Sequence, residues 1–431
     1  MGAAGNLYHI VASLSLQPDG RHGRISRHSP AVQRESMGGA VKRVVSVVRC
    51  DDYDCEDVCT AVRRSIDLIG GIGAFASPGQ TVLVKPNLLA GSPPETCVTT
   101  HPAVVYAVAE CLRDHGCRVI IGDSPGAGMP YREATLRRAY AASGYDRVAE
   151  ELGVGLNLDT GHEIVSFPEG QVMKRFSIIN PALEADAIAV LSKAKTHNWT
   201  RMTGAAKNLF GLIPGLEKPG FHFRFQDEES FSAMLVDLNE LMRPRLQIMD
   251  AVIGMEGDGP HSGTPRKIGA ILASDDYTAM DVATARLIGM DPLEIATIAH
   301  AVRRGLVRED LGGITFLGEP LEEFVVDDYR KPSTYRGKGR ILRHNSLLRL
   351  TRFFGRLYAL QPEIRKDVCV GCGRCERACP VDAITMADGR AVIDLRRCIR
   401  CYCCHEMCSD HAIRLERSRI GRLIAGLAEG G

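Results

Sequence analysis

From Val41 to about Tyr329, short runs of β-branched residues alternate with stretches whose apolar positions recur at helical spacing. That alternation predicts an α/β fold: a mainly parallel sheet with flanking helices. Strands are predicted at 43–48 ("RVVSVV"), 81–87 ("TVLVKPN"), from 117 ("CRVII"), at 185–192 ("ADAIAVLS"), 245–254 ("RLQIMDAVIG") and 267–274 ("KIGAILAS"). A helix is predicted after Asp54, with Val58, Val62, Ile66 and Ile69 on one face, and others near 229–242, 277–289 and 292–304. Between His101 and Gly116 the spacing again reads as a helix, with Pro102 suited to its first turn and Gly116 to its cap.

Toward the C-terminus cysteine spacing replaces hydrophobic periodicity as the signal. Cys369, Cys372, Cys375 and Cys379 follow C-x2-C-x2-C-x3-C-P, and Cys398, Cys401, Cys404 and Cys408 repeat the spacing with Ser409 in place of the proline. Thiolates this close wrap three corners of an iron-sulfur cube while the fourth reaches a second cube. A zinc site, the alternative, takes its ligands as two pairs and has no use for a third closely spaced thiol. The expected cofactors are therefore two 4Fe-4S clusters, one held by Cys369, Cys372, Cys375 and Cys408, the other by Cys398, Cys401, Cys404 and Cys379. "CPVDAI" and "CSDHAI" mark an internal repeat, and residues 363–416 resemble a bacterial dicluster ferredoxin, a small α+β domain. Cys403 lies outside the spacing and reads as a packed thiol. Cys50, Cys55, Cys59, Cys97, Cys111 and Cys117 read as small hydrophobes, and the gaps of the other nine, too tight for a disulfide framework, point to a reducing compartment.

The remaining segments are a leader (1–40), expected to be disordered although a transit peptide has the same composition, a basic amphipathic linker (330–362) and an amphipathic tail (417–431). The linker and tail are expected to pack on a neighbouring domain, with contact to an anionic membrane as the alternative. No apolar run reaches the roughly 18–20 residues that span a bilayer, so a soluble protein is expected. With 53 basic and 52 acidic side chains, nothing in the net charge recommends nucleic acid.

Candidate chemistry sits after the strands, where open α/β sheets collect ligands: "KPN" after 84, "GDSPGAG" after 121, "KAKTHNWTRMTGAAKN" after 192 and "MEGDGP" after 254. Each alone reads equally as an ordinary loop; together they suggest one rim. The chain uses 11 lysines against 42 arginines, so the lysines retained here stand out as compact charges whose pKa responds to burial. Lys193, Lys195 and His197 share one parity and would face one side. Lys193, Lys195, Lys207 and His197 are the expected catalytic group, with His197 neutral beside the cations and able to deliver a proton. Lys85, Asn87, Asp123, Asn208, Glu256 and Asp258 are expected to bind substrate. Asp250 and Asp281 are further acids; each acid has an alternative reading as a cap or turn residue, and the lysines as a surface patch.

"VLVKPNLL", "IGDSPG", "LSKAKTHNWTRMTGAAKNLFGLIPG" and "DAVIGMEGDGP" resemble the domain-of-unknown-function family 362, over roughly 41–329. The resemblance implies a cytoplasmic iron-sulfur protein, often with a dicluster ferredoxin tail, and names no substrate. The expected function is an oxidoreductase that passes single electrons to an anionic small molecule in a lysine-lined pocket and is served by a redox partner, a ferredoxin or reductase. The alternatives are an electron-transfer or maturation protein without turnover of its own, and non-redox chemistry with structural clusters.

Overall fold

The computed structural model describes residues 43–126, 129–335 and 360–416. The expected leader, most of the linker and the tail lie outside the described residues. Strands β1 (Arg43–Arg49), β2 (Thr81–Pro86), β3 (Arg118–Ile121) and β4 (Gly155–Leu156) lead to a hairpin, β5 (His162–Ser166) and β6 (Arg175–Ile179). They are followed by β7 (Ala187–His197), β8 (Arg201–Met202), β9 (Leu246–Glu256), β10 (Thr264–Ser274) and β11 (Ile314–Gly318). The large sheet has the order β11-β1-β10-β9-β7-β2-β3-β4, with β8 folded back on β7. Its centre, β9-β7-β2-β3, is parallel throughout, whereas β10 runs antiparallel to both β1 and β9. The sheet is thus mainly parallel, as predicted.

Helices α1 (Cys55–Leu68), α2 (Pro102–Asp114), α3 (Glu133–Ser143) and α4 (Tyr145–Leu152) cover one face. The opposite face is covered by α5 (Asn180–Glu184), α6 (Gly204–Asn208), α7 (Lys218–Arg224), α8 (Glu228–Met242), α9 (Tyr277–Leu287) and α10 (Ala296–Arg303). Strand parity decides which residue meets which layer. Val82 and Val84 pack with Val58, Val62 and Val108, while Leu83, between them, packs with Phe231, Leu235 and Leu238. Covered on both sides, the central strands need near-continuous apolar runs, the composition read from "TVLV" and "AIAVL".

The cysteine-rich module pairs β12 (Gln361–Ile364) with β15 (Ile413–Glu416) and β13 (Ile384–Ala387) with β14 (Arg390–Ile393). Its two repeats each supply a short helix, Arg374–Arg377 and Cys403–Glu406. Among the described residues no helix is long and apolar enough to cross a membrane.

Two differences from the sequence reading affect the site. Strand β7 does not stop at Ser192; it runs on through "KAKTH", because Lys193 pairs with Asp250 of β9 and β8 returns to pair with Thr196 and His197. The hairpin β5-β6 has no counterpart in the prediction; Phe176, Ile178 and Ile179 anchor it in the core, and one buried carboxylate ties down its connecting loop. Asp237 of α8 accepts the backbone amides of Gln171, Val172 and Met173, each at 2.8 Å, and the Arg304 guanidinium at 2.7 Å. Replacing Asp237 by Ala leaves three amides and a nearly buried arginine without their acceptor, a loss of about 3–5 kcal/mol by analogy with broken buried ion pairs. Denaturant unfolding measures it; a loss below about 1 kcal/mol would show that the carboxylate is dispensable.

Candidate functional site: a cysteine module seated beside buried lysines

The parallel centre of the sheet brings the carboxyl ends of β2, β3, β7 and β9 to one rim, and the buried polar side chains gather there. Lys85 at the end of β2 is fully buried; its Nζ meets Asp123 Oδ1 at 2.9 Å and donates to Asn208 Oδ1 at 3.0 Å. Burial lowers the Lys85 pKa, and the Asp123 carboxylate opposes that shift. Asn87 Nδ2 donates to the same Asn208 oxygen at 3.4 Å, and Asn87 Oδ1 accepts from Lys195 Nζ at 2.6 Å. Gly211 makes the arrangement possible, since a Cβ there would collide with Asp123 Oδ1 and lie 2.5 Å from Lys85 Nζ.

Lys193 is equally buried but belongs to a separate group. Its ammonium donates to Asp250 Oδ2 at 2.8 Å and to the Tyr53 hydroxyl at 2.6 Å, and Tyr53 donates to Asp250 Oδ1 at 2.7 Å. His101 stacks on Tyr53 at 3.6 Å between ring centroids, and burial lowers its pKa to about 4 against the pull of Asp250. Lys193 and Lys195 therefore share a parity without sharing a site, because the register of β7 against β9 shifts between them.

His197 lies in the chain just before the only tryptophan, Trp199. Its Nδ1 accepts the amides of Trp199 and Thr200 at 3.0 and 3.4 Å, which puts the ring proton on Nε2. Burial, then Lys207, Lys195, His222 and His405, hold its pKa well below the usual value. The neutral ring is thus a hydrogen-bond donor at Nε2, not the proton donor expected from sequence. Lys207 is half-buried and lies close enough to depress both His197 and His222.

Four participants escape a reading of the sequence. Lys218, on α7, donates to Ser124 O at 2.9 Å, Ser124 Oγ at 3.2 Å and Pro125 O at 2.5 Å. Burial lowers its pKa to about 7 despite Asp123 nearby, with Lys85 and Lys207 pushing the same way. One turn on, His222 stacks on Phe231 at 4.7 Å between centroids and meets the tilted Trp199 ring at 4.5 Å, Trp199 and Phe231 being 5.1 Å apart in the same cluster, and its buried Nδ1 has no partner among the described residues. Tyr53 and Trp199 complete the set. Lys218 and His222 stand four apart on a seven-residue helix, a spacing that the "EKPGFHF" string carries beneath the loop-like pairing of its proline and glycine.

Other expected ligand groups are turned elsewhere. Glu256 accepts from the Arg330 amide and guanidinium at 3.0 and 2.7 Å, and Asp258 from the Ser333 amide at 2.7 Å, so both pin the 330–333 segment instead of lining the lysine cluster. Asp281 accepts the Ala205 and Ala206 amides at 2.5 and 3.2 Å and acts as a cap for α6. Cys55, expected to be packed, is exposed.

In the module, Cys369, Cys372, Cys375 and Cys408 line one hollow together with Val370 and Arg374, which is the first expected quartet. The Cys375 thiol is raised to about 11 by burial, opposed by the Glu376 amide, and further by Cys408, Cys372 and Cys369. In the second repeat Cys404 is raised well above the usual value by burial and then by the nearby Cys401, Cys398, Cys375 and Cys379. No three His, Cys, Asp or Glu side chains among the described residues converge as a single-ion site would need. The thiols instead surround a wider space, and that donor set fits 4Fe-4S centres.

The second repeat, joined by Ala378 of the first, packs against the large sheet. Cys401, Cys403 and Met407 pack with Ile399 against Trp199, Met129 and Ala90. His405 Nδ1 lies 2.8 Å from the Ile413 carbonyl and must donate to it, so Nε2 accepts from Asn198 Nδ2 at 3.0 Å. Residues 82–286 match the family described as domain of unknown function DUF362, and residues 362–385 match the 4Fe-4S binding domain. A thylakoid-associated protein, sll1697, of Synechocystis sp. is 32% identical over 304 residues, 69% of this chain and 92% of that protein. This chain belongs to the DUF362 family. Within it, the tail is similar to one component of an ion-translocating oxidoreductase complex of Methanosarcina acetivorans, 40% identical over 47 residues, 11% of this chain and 18% of that one. The lactate racemase apoprotein of Thermoanaerobacterium thermosaccharolyticum aligns over 57% of each chain at 12% identity and a TM-score of 0.36. The DUF362 chain thus carries an iron-sulfur electron-transfer domain.

Lys218 gives a pH test. Its folded pKa lies below that of an exposed lysine, so between pH 7 and about 10 the unfolded chain binds the proton and the folded one does not. Stability from this group therefore rises with pH across that window, and the charged amine penalises folding fully below it. The unfolding free energy of the wild type relative to Lys218→Met should climb from pH 7 to 10; a flat or falling difference would show that the ammonium stays charged.

Proposed function

We propose that this DUF362 protein is an oxidoreductase in which single electrons reach an anionic substrate or cofactor held beside Lys195, Lys207, Lys218 and His197. The observation that carries the reading is the seat of the second cysteine repeat on Trp199, whose ring lies 4.5 Å from that of His222, between centroids, next to that cluster. Two 4Fe-4S cubes, one per quartet, would supply one-electron storage. Cys369, Cys372, Cys375 and Cys408 would hold one, and Cys398, Cys401, Cys404 and Cys379 the other.

Each protein group then has a physical task. Lys85 and Lys193 pair with Asp123 and Asp250 and organise the rim, and Lys195, Lys207 and Lys218 would stabilise negative charge that grows on reduction. In a low-dielectric setting such fixed charges act strongly and need little rearrangement. Asn87 and Asn208 hold lysine ammoniums in place, and Trp199 packs between module and sheet. A cytoplasmic location fits the free thiols and remains part of the proposal.

A second reading, electron transfer or maturation in service of a partner enzyme, is favoured by one observation: Lys85, Lys193 and Lys195 are fully buried and bonded to internal groups. The two separate on an experiment with the anaerobically reconstituted full chain, which should hold about eight iron atoms. After reduction it is offered pools of anionic metabolites and its reoxidation followed optically. The oxidoreductase reading expects one class to reoxidise it, and Lys207→Met and Lys218→Met to slow that step about tenfold or more with iron content unchanged. Failure of every pool, or variants as fast as the wild type, would leave the partner-serving reading.

A further inference from the structure

The module is built from two repeats, but only one of its two equivalent faces is covered. In the second repeat the residue after the first cysteine, Ile399, packs into the seat, and the residue before the third, Cys403, is fully buried there. Their counterparts in the first repeat are Val370, which is 65% exposed, and Arg374, which is exposed. One face therefore has the apolar residues of a permanent contact, whereas the other carries an exposed valine with an arginine where the thiol would be.

That open face has a charged collar. Arg374 donates to Ser409 Oγ at 3.0 Å, Arg377 to the Cys372 carbonyl at 3.3 Å, and Arg390 to the Lys366 carbonyl. Each guanidinium is thus anchored around the Cys369–Cys375 loop by a neutral oxygen, and these three cations face one acid lining the same hollow, Asp410, which accepts from Ser409 Oγ at 3.1 Å. Cys372, at the centre of the loop, is exposed. An apolar spot ringed by anchored cations suits a transient complex, in which charge steers the encounter and a small apolar contact fixes it.

We infer that this face is the docking surface for an acidic one-electron carrier protein, and that electrons enter the molecule here and not at the seat. The inference rests on the redox reading above and deepens it by giving the module a direction: the Cys369 quartet faces the donor, and the Cys398 quartet faces the large sheet. Each encounter transfers one electron and no atom. The carrier is oxidised by one electron as the centre held by the Cys369 quartet is reduced by one.

The test uses the reconstituted full chain with an acidic flavodoxin as the probe. Calorimetry in its oxidised form gives binding, and stopped-flow mixing with its hydroquinone gives the reduction rate. Both should weaken as ionic strength rises, and the combined Arg374→Glu, Arg377→Glu, Arg390→Glu chain should bind about tenfold or more weakly. The corresponding triple Lys chain, which keeps the charge and loses the fork, should bind within a few-fold of wild type, which separates charge from loop geometry. Binding that is indifferent to salt, triple Glu and wild-type chains of equal affinity, or a triple Lys chain as weak as the triple Glu one would overturn the inference. So would wild-type chain that ignores the flavodoxin while sedimenting with anionic phospholipid vesicles, since the collar would then be a lipid contact. Failure of the metabolite assay leaves these binding outcomes intact, so the two proposals fail separately.

Discussion

The structure depends on one apolar contact, the seat of Cys401, Cys403, Met407 and Ile399 on Trp199, Met129 and Ala90. Without it the cysteine module would be a tethered passenger, and nothing would relate its thiols to the chemistry of the sheet. Met407, buried to 2% exposure, contributes about 1.5–3 kcal/mol by area alone. The "GDSPGAG" loop reaches the seat as well: a Cβ on Gly126 would be crowded by Leu89, at 3.0 Å from its Cδ1, and would be in ordinary contact with the Met407 sulfur at 3.5 Å. The polar rim of the seat, Asn198 to His405, fixes the orientation that the apolar centre permits.

Behind the seat the sheet buries charge, which is costly unless each group finds a partner. Parallel pairing of β7 with β9 places Lys193 next to Asp250, and the neighbouring ends of β2 and β3 place Lys85 on Asp123. These pairs are weak evidence for stability, because desolvation offsets much of their attraction. Their effect is on geometry: lysines held in one position with no freedom to swing. Burial also depresses Lys85 and His101 in the other groups, and on the Trp199 side it does so for His197, His222 and Lys218 together. Perturbed groups gathered beside a redox module are where chemistry is expected.

Much of this is legible from residues alone. The cysteine spacing carries the 4Fe-4S assignment, and the apolar runs carry the central strands, because both signals are local and periodic. The convergence of "KPN", "GDSPG" and "KAKTH" on one rim is also readable, since strand ends in a parallel sheet share a side. What cannot be read depends on register. The shift between Lys193 and Lys195 splits two residues of equal parity into separate groups, and nothing within β7 announces it. Glu256 and Asp258 look like ligand groups because their partners, Arg330 and Ser333, are more than 70 residues away. Lys218 and His222 stay hidden because proline and glycine in "EKPGFHF" mask a helix too short to show a period. Strand β5, exposed at four of its five residues, lacks the alternation by which strands are recognised.

Because Trp199 is the sole indole of the chain, its emission reports on the seat with no label. An iron-sulfur centre against an indole quenches it. Filling the cysteines under anoxic conditions should therefore extinguish most of the emission; Cys401→Ser should restore it and Cys372→Ser should leave it dark. Equal recovery in both variants, or a filled chain as bright as the metal-free one, would contradict the arrangement on which this account rests.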